Sequence, residues 1–412
     1  MGAGVSAGPD EVERHGAACQ AVGVRVLIAP DCFTGTLSAA QAAEAMALGW
    51  RRSAPQDELT LLPLSDGGPG FLDVVERALG GTTIAVTVSD PLGRPVPAAV
   101  LVVESAPGSG ERTAYVESAQ ACGLHLLDAY LRNPQRTSTY GVGELLEAAL
   151  GQDVRRIVVG LGGSGTNDGG AGMLAALGAG SAEDLAGGGG MLADLGQDSL
   201  PGLEQVRERF RHVELLAATD VDIGLLGFHG ATASFAAQKG ATPEQEQQLE
   251  GALGHFVDVV ARALPPANDL LTGSARRLER EPGAGAAGGL GYGLLLLGGR
   301  RVSGVDEVLR TVQFSHRLAS CDLVLTGEGC FDWQSLRGKV VAGVAQAALA
   351  TAVPVVLLAG QVLLGRRETM ALGISGSYAV AADSEGMAAA LADPAGTLTE
   401  RAARVARTWS PH

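Results

Sequence analysis

Aromatic side chains are scarce in this chain. They make up 4% of 412 residues against a hydrophobic content of 46%, so Ala, Leu, Val and Gly must pack any core. Clustered positive charge is missing as well. The formal net charge is −15, and no stripe of Lys and Arg with interleaved aromatics occurs. Neutralising nucleic-acid or lipid phosphates needs such a stripe, so neither partner is expected. The five cysteines (Cys19, Cys32, Cys122, Cys321, Cys330) form no CxxC pair. Their odd number suits free thiols in a reducing compartment rather than a disulfide framework. No HExxH or close His/Cys cluster is present, which excludes a structural zinc site. The histidines stand apart from any acid or nucleophile, so a Ser-His-Asp hydrolase has no support.

Membrane signals are equally thin. Residues 1–23 lack an apolar h-region and read as a mobile tail rather than a secretory signal. Met1-Gly2-Ala3-Gly4-Val5-Ser6 fits the myristoylation pattern, but no polybasic segment follows. The uncharged stretch Pro282–Gly299 is too short and glycine-rich to span a bilayer. The expectation is a soluble, cytoplasmic protein.

What the chain has in excess is glycine, 60 residues, placed in loops. Four apolar strands each open into a glycine- and acid-rich loop. Val24–Pro30 opens into Asp31-Cys32-Phe33-Thr34-Gly35-Thr36, and Leu59–Leu64 into Ser65-Asp66-Gly67-Gly68. Arg156–Gly160 opens into the run from Leu161 to Gly170, and Asp322–Thr326 into Gly327-Glu328-Gly329 with Asp332. In an open parallel sheet, ligands bind at strand carboxyl ends. Glycine lets backbone N–H groups approach phosphate, and carboxylates can hold Mg²⁺ or take a proton from a hydroxyl. The pattern reads as a nucleotide-and-metal site assembled from distant segments.

The same pass gives the organisation. Strand, helix (Ser38 and Gln41 as a capping box), strand and helix (Phe71–Leu79) open the chain, which predicts a parallel sheet. Thr83–Val88, Val96–Glu104 and Arg112–Ser118 are expected as strands of antiparallel character. Gly180–Asp198 is expected as a loop, and Pro282–Gly293 is again glycine-dense. From Cys321 the alternation of strand and helix returns. The predicted fold is therefore α/β, with two α/β domains. Residues 24–80 and 295–412 form a discontinuous, Rossmann-like parallel sheet, and 81–294 an inserted, mixed α/β domain.

Competing motifs are weak. Gly160-Leu161-Gly162-Gly163-Ser164-Gly165 matches GxGxxG, but Glu183 and Asp184 lie in a segment without a strand to present a ribose contact. A nicotinamide dehydrogenase is thus a minor alternative. Gly338-Lys339 imitates the end of a P-loop, yet Gly329 is wrongly spaced and Val340 replaces the metal-binding Ser or Thr. Single acids such as Asp31, Asp66, Asp168, Asp220, Glu328 and Asp332 are commonly turn or cap residues. Their convergence at strand ends is what suggests a cation. Ser164, Thr166 and Asn167 are phosphate or hydroxyl contacts, or shape the turn. Thr137-Ser138-Thr139 is either a helix cap or an anion contact.

Taken together these segments resemble the bacterial glycerate kinase family of the glyoxylate/glucarate-pathway type, which has no P-loop. The resemblance rests on Ile28-Ala29-Pro30-Asp31 with Ser38-Ala39, Leu62 to Gly68, Arg132-Asn133-Pro134 through Leu145, Gly162 to Gly170, Pro282 to Gly289, and Leu325 to Gly329 with Asp332, Gln334 and Gly338-Lys339. It implies Mg²⁺-dependent transfer of the ATP γ-phosphoryl to a hydroxyl of D-glycerate, in a cleft between two α/β domains. The expected partners are that hydroxy acid and ATP, with a homo-oligomer left open. Asp168 or Asp66 would take the hydroxyl proton, and Lys339 would neutralise phosphate charge. Asp31, Asp66, Asp220 and Glu328 would hold the metal. Asp31, Ser38, Gly67, Gly68, Gly163, Ser164, Gly165, Thr166, Asn167, Gly285, Glu328, Asp332 and Gln334 would bind substrate or nucleotide. Thr34, Pro69 and Cys330 stand where the family usually has Lys, Glu and Arg, and the usual Asp-Asn-Pro-Leu reads Asp222-Ile223-Gly224-Leu225. The lost cations make a catalytically weakened or substrate-shifted relative the alternative reading.

Overall fold

The computed structural model describes Met1 and residues 23–410, except 34, 106–107, 267–272, 274 and 337. The expected tail, the myristoylation pattern and Thr34 fall outside the described residues, apart from Met1 and Gly23.

In chain order the strands are β1 (Arg25–Ile28), β2 (Glu58–Leu61), β3 (Thr82–Ser89), β4 (Pro95–Glu104), β5 (Arg112–Glu117), β6 (Arg156–Gly160), β7 (Glu214–Ala218), β8 (Arg300–Val302), β9 (Leu323–Thr326), β10 (Cys330–Phe331), β11 (Val355–Ala359), β12 (Gln361–Val362) and β13 (Ile374–Ala379). Five of them make an all-parallel sheet in the order β13-β11-β9-β1-β2. β1 is paired with β2 on one side and β9 on the other, so the strand order reverses between β1 and β9. That reversal opens a crevice at the carboxyl ends of these two strands. Six strands make a mixed sheet, β3-β4-β5-β6-β7-β8, antiparallel up to β5 and parallel from there. The architecture is thus two α/β units, the first built from both ends of the chain. The six-stranded sheet takes its last strand from Arg300–Val302, past the limit of 294 drawn from sequence.

Period-2 alternation explains how the sheets are joined. Leu101, Tyr115, Val158 and Leu216 share one buried cluster with Leu27, Val324, Phe71, Val305 and Val340. The helices Phe71–Leu79, Gly304–Thr311 and Val340–Leu349 therefore fill the space between the sheets. The neighbouring residues Val100, Ala114, Val116, Ile157 and Val159 point the other way, into a separate core with helices Tyr140–Leu150 and Pro243–Ala263. On the far face of the parallel sheet, helix Ala39–Ser53 packs against helix Pro394–Trp409. Alanines and Gly49 allow this, since a β-carbon at Gly49 would lie 2.1 Å from the Thr399 carbonyl oxygen.

The expected loop 180–198 and the glycine-dense stretch 282–293 are both partly helical. Within 180–198, Ser181 caps a short helix, Ala182–Leu185, by accepting from the Asp184 N–H at 3.1 Å. Within 282–293 a helix, Ala286–Leu296, begins with left-handed backbone at Ala287, Gly288 and Gly289 (φ 52°, 68° and 90°). Glycine density hid both. At Gly288 a β-carbon would meet the Thr166 carbonyl oxygen at 2.0 Å, so glycine is required there by close packing. Among the described residues no helix is long and apolar enough to cross a membrane.

Candidate active site

A cleft of about 1200 Å³ opens where the strand order reverses. Asp31 follows β1, Asp66 follows β2, and Glu328 follows β9, and all three line it. Hydrogen bonds from Ala29 N–H to the Leu325 carbonyl and from Asp31 N–H to the Gly327 carbonyl, both 2.8 Å, keep the first and third loops side by side. Ser38, Gly68, Gly163, Asp332 and Lys339 also reach the cleft. The structure thus brings together eight of the residues proposed from sequence.

The acids strain one another electrostatically. Burial, then the charge of Asp66, raises the Asp31 carboxyl well above its ordinary value, Glu328 adds to this, and the Cys32 N–H at 2.7 Å partly offsets it. Burial likewise pushes Glu328 up to about 7, with Asp332 and Asp66 adding to it and the Ser335 hydroxyl and the Lys339 charge opposing. Glu328 is 4% exposed, and its Oε1 has no hydrogen-bond partner among the described residues. A buried, orphaned carboxylate oxygen beside two further acids is a site that a hard cation would satisfy. No three His, Cys, Asp or Glu side chains among the described residues are grouped to ligate one ion. One or two carboxylates are what Mg²⁺ commonly takes from protein, with water and phosphate oxygens completing its shell, and Glu328 and Asp31 are the cleft carboxylates of that kind.

The loops are held by contacts that leave little slack. Asp66 Oδ1 accepts from the Gly68 N–H at 3.1 Å, and Ser65 Oγ from the Gly67 N–H at 3.2 Å. A β-carbon at Gly162 would lie 2.4 Å from the Gly68 Cα, so the loop after β6 touches the loop after β2 backbone to backbone. Glu117, at the end of β5, accepts from the N–H groups of Gly70 and Leu72, both 3.2 Å, and so caps the helix that follows the Asp66 loop. Lys339 occupies the N-cap position of helix Val340–Leu349. Lys339 itself lines the cleft and brings a positive charge to it.

Several expected residues lie elsewhere. Asp168 is 0% exposed and does not line the cleft. Its carboxylate accepts from Thr139 N–H (2.8 Å), Thr139 Oγ1 (2.9 Å), Gly170 N–H (3.1 Å) and Gly172 N–H (3.2 Å). Such an acid organises its loop and stands outside the cleft lining. Burial raises its pKa, and these same donors pull it back. Ser164 and Thr166 sit beneath the loop, where the buried Lys239 donates to Ser164 Oγ (3.1 Å) and the Thr166 carbonyl (2.7 Å). Burial lowers that lysine to about 8. Asn167, fully buried, donates to Thr232 Oγ1 at 3.0 Å. Gly165 packs on Leu124, and Gly285 on the Gly224 carbonyl. Gly67 packs toward the Ala218 carbonyl, and Gln334 is exposed outside the cleft lining. Asp220 is taken up by Ser303 Oγ (2.7 Å) and the Val305 N–H (3.0 Å), so it caps helix Gly304–Thr311. Burial raises it to about 6. A β-carbon at Gly338 would meet its Cβ at 2.5 Å, so it supports the Lys339 loop from below.

Sequence reasoning missed other cleft residues, among them Arg77, His125, Gln361, Val380 and Met387. They come from helix sides, strand ends and a C-terminal helix, and carry no local motif. Of the residues that depart from the family pattern, Pro69 and Cys330 both line the cleft.

Comparison with known proteins places the chain in a family. The chain is 40% identical to a glycerate kinase of Bacillus subtilis (strain 168) over 87% of its length and 90% of that protein. It is 36% identical to glycerate 2-kinase of Escherichia coli (strain K12), covering 82% of this chain and 85% of that one. A glycerate kinase 2 crystal structure from Salmonella typhimurium LT2 superposes with a TM-score of 0.71 at 34% identity, over 94% of this chain and 98% of that chain. The glycerate kinase family profile matches residues 26–410. By profile, sequence identity and superposition alike, the chain belongs to the glycerate kinase family of enzymes.

Proposed function

We propose that this enzyme transfers the γ-phosphoryl group of Mg·ATP to a hydroxyl of D-glycerate in the cleft between the two sheets. The observation that carries the reading is the convergence of Asp31, Asp66 and Glu328 on one cleft with Lys339 at a helix N-terminus. Phosphoryl transfer needs positioning and charge neutralisation more than covalent chemistry. Asp31 and Glu328, whose burial disfavours their charge, would hold Mg²⁺, which neutralises phosphate oxygens when bound. Lys339 and the first turn of its helix would take the transferring phosphoryl group. Asp66 would accept the hydroxyl proton. One of its oxygens is held by the Gly68 N–H, and the other makes no hydrogen bond among the described residues. Gly68, Gly162 and Gly163 form the wall opposite the parallel sheet, where a small polar acid would lie against backbone.

Cys330 favours a second reading, a shifted acid substrate. It lines the cleft without a charge at a position where a guanidinium would clamp a carboxylate. The test is ADP release from Mg·ATP with D-glycerate, L-glycerate, glycolate or tartronate. Turnover specific to D-glycerate supports the first reading. Turnover with another acid alone supports the second, and ATP binding without turnover on any acid refutes both.

A further inference from the structure

The cleft has two unlike ends. Acids and Lys339 crowd one end, while the C-terminal segment lines the cleft with a mostly apolar wall, accompanied by Gln41, Glu44 and Thr397 as polar lining residues. Val380 follows β13, Met387 and Leu391 belong to helix Ser384–Ala392, and Leu398 belongs to the next helix. Gln361, in β12, stands at the rim. Helix Ser384–Ala392 has no buried residue, and Leu391 is 60% exposed. Its apolar side chains therefore face water in this structure, at a cost of roughly 25 cal/mol per Å².

We propose that this apolar end, formed by Val380, Met387 and Leu391 with Gln361 at its rim, seats the purine base of the nucleotide. The proposal rests on the kinase reading above and assigns its two substrates to opposite ends of the cleft. A nucleotide carries a flat, apolar base at one end and a polyanion at the other, which matches the polarity of the cleft. A three-carbon hydroxy acid has no apolar face and gains nothing there. A purine offers two faces for aliphatic contact and an edge with donors and acceptors, which the Gln361 amide can meet. The apolar end flanks the carboxyl ends of β11 and β13, on the same side of β1 as β9 and Glu328. A base there leaves its phosphates pointing toward Glu328 and Lys339. The acid substrate is then left the side of Gly68, Gly162 and Gly163. At about 1200 Å³ the cleft exceeds an ordinary single-ligand pocket of roughly 300–1,000 Å³, so both substrates fit together. A second cavity, of about 650 Å³ near Arg136 and Tyr140, shares no lining residue with the cleft and is not a rival for the base.

The test uses Met387→Asp, Leu391→Asp and Gln361→Ala in the full chain, with Met370→Asp as a control at an exposed site outside the cleft. Placing a carboxylate against the base should raise the KM for ATP by about tenfold or more while the KM for D-glycerate holds. Gln361→Ala should narrow the preference for ATP over GTP. Binding of ADP and of inorganic tripolyphosphate, read as thermal shifts, gives a second readout that needs no turnover. ADP stabilisation should shrink in the two Asp variants, and that by tripolyphosphate should not. An unchanged KM for ATP, a raised KM for D-glycerate instead, or equal loss of ADP and tripolyphosphate binding would overturn the assignment. Failure of wild type to turn over glycerate while ADP binding still responds to Met387→Asp would sink the glycerate reading and leave the base site standing.

Discussion

Asp168→Asn separates an acid that does chemistry from one that builds the loop. Oδ2 receives three donors, Thr139 N–H, Thr139 Oγ1 and Gly172 N–H, and Oδ1 receives the Gly170 N–H. An asparagine keeps one acceptor oxygen and turns the other into a donor. Its better orientation keeps the three-donor oxygen and strands one buried backbone N–H, at about 1–3 kcal/mol. The remaining bonds lose their ionic component, while the neutral amide escapes the burial penalty that raises the Asp168 pKa. The net expectation is a destabilisation of about 2–4 kcal/mol. For a unit of 150–250 residues each kcal/mol moves Tm by about 2–4 °C, so Tm should fall by roughly 5–15 °C. Turnover at 20 °C should stay within about threefold of wild type, since the carboxylate is absent from the cleft. Differential scanning fluorimetry and a coupled ADP assay on the same preparation decide the matter. An unchanged Tm with turnover reduced about 10³-fold or more would refute the structural role.

Other expectations follow from the same contacts. Glu328 and Asp220 sit at about 7 and about 6, above their ordinary values, because of burial. The native state therefore binds protons more tightly than the unfolded chain, and this stability is complete near pH 4 and lost as pH rises through 6 and 7. Urea midpoints of the ligand-free protein should fall between pH 5 and 8, and a rising midpoint would contradict the burial of these acids. Gly162→Ala puts a β-carbon 2.4 Å from the Gly68 Cα and should displace the Asp66 loop, lowering kcat/KM by about 10²-fold. Gly251→Ala, in an open position of helix Pro243–Ala263, should instead add up to about 1 kcal/mol to the denaturation free energy. Lys239 and Lys339 are the only lysines in the chain. Lys239→Met should cost about 1–3 kcal/mol of stability by stranding Ser164 and the Thr166 carbonyl, as read by denaturant titration. Lys339→Met should instead lower kcat/KM for ATP by about 10–100-fold with little change in Tm.

Legibility in the sequence followed locality. Strands such as Arg156–Gly160 and the helix Phe71–Leu79 were bounded correctly because apolar patterning acts within a few positions. The parallel sheet from both chain ends was legible from the return of strand–helix alternation. Helix Ser384–Ala392 is hard to bound from sequence, because an alanine-rich segment that buries nothing gives no periodic signal. Helix Gly304–Thr311 was not foreseen at all, although Ser303 caps it by accepting from the Asp306 N–H. Asp31 and Glu328 were found together because they follow the two strands that flank the reversal of order, and Asp66 because it follows the neighbouring β2. Asp168 and Asp220 satisfied the same sequence criterion, yet one is consumed by loop donors and the other by a helix cap. Only partners far along the chain, Thr139 for Asp168 and Ser303 for Asp220, distinguish them. The apolar end of the cleft was invisible because its residues come from separate elements near the C-terminus.

The most direct test of the account is D-glycerate-dependent ADP release by wild type and Asp66→Asn, measured side by side at saturating Mg·ATP. The account predicts robust wild-type turnover and a variant that keeps its Tm and its ADP binding while kcat falls by about 10²–10⁴-fold, the contribution of a general base. An Asp66→Asn enzyme that turns over D-glycerate at the wild-type rate would contradict it.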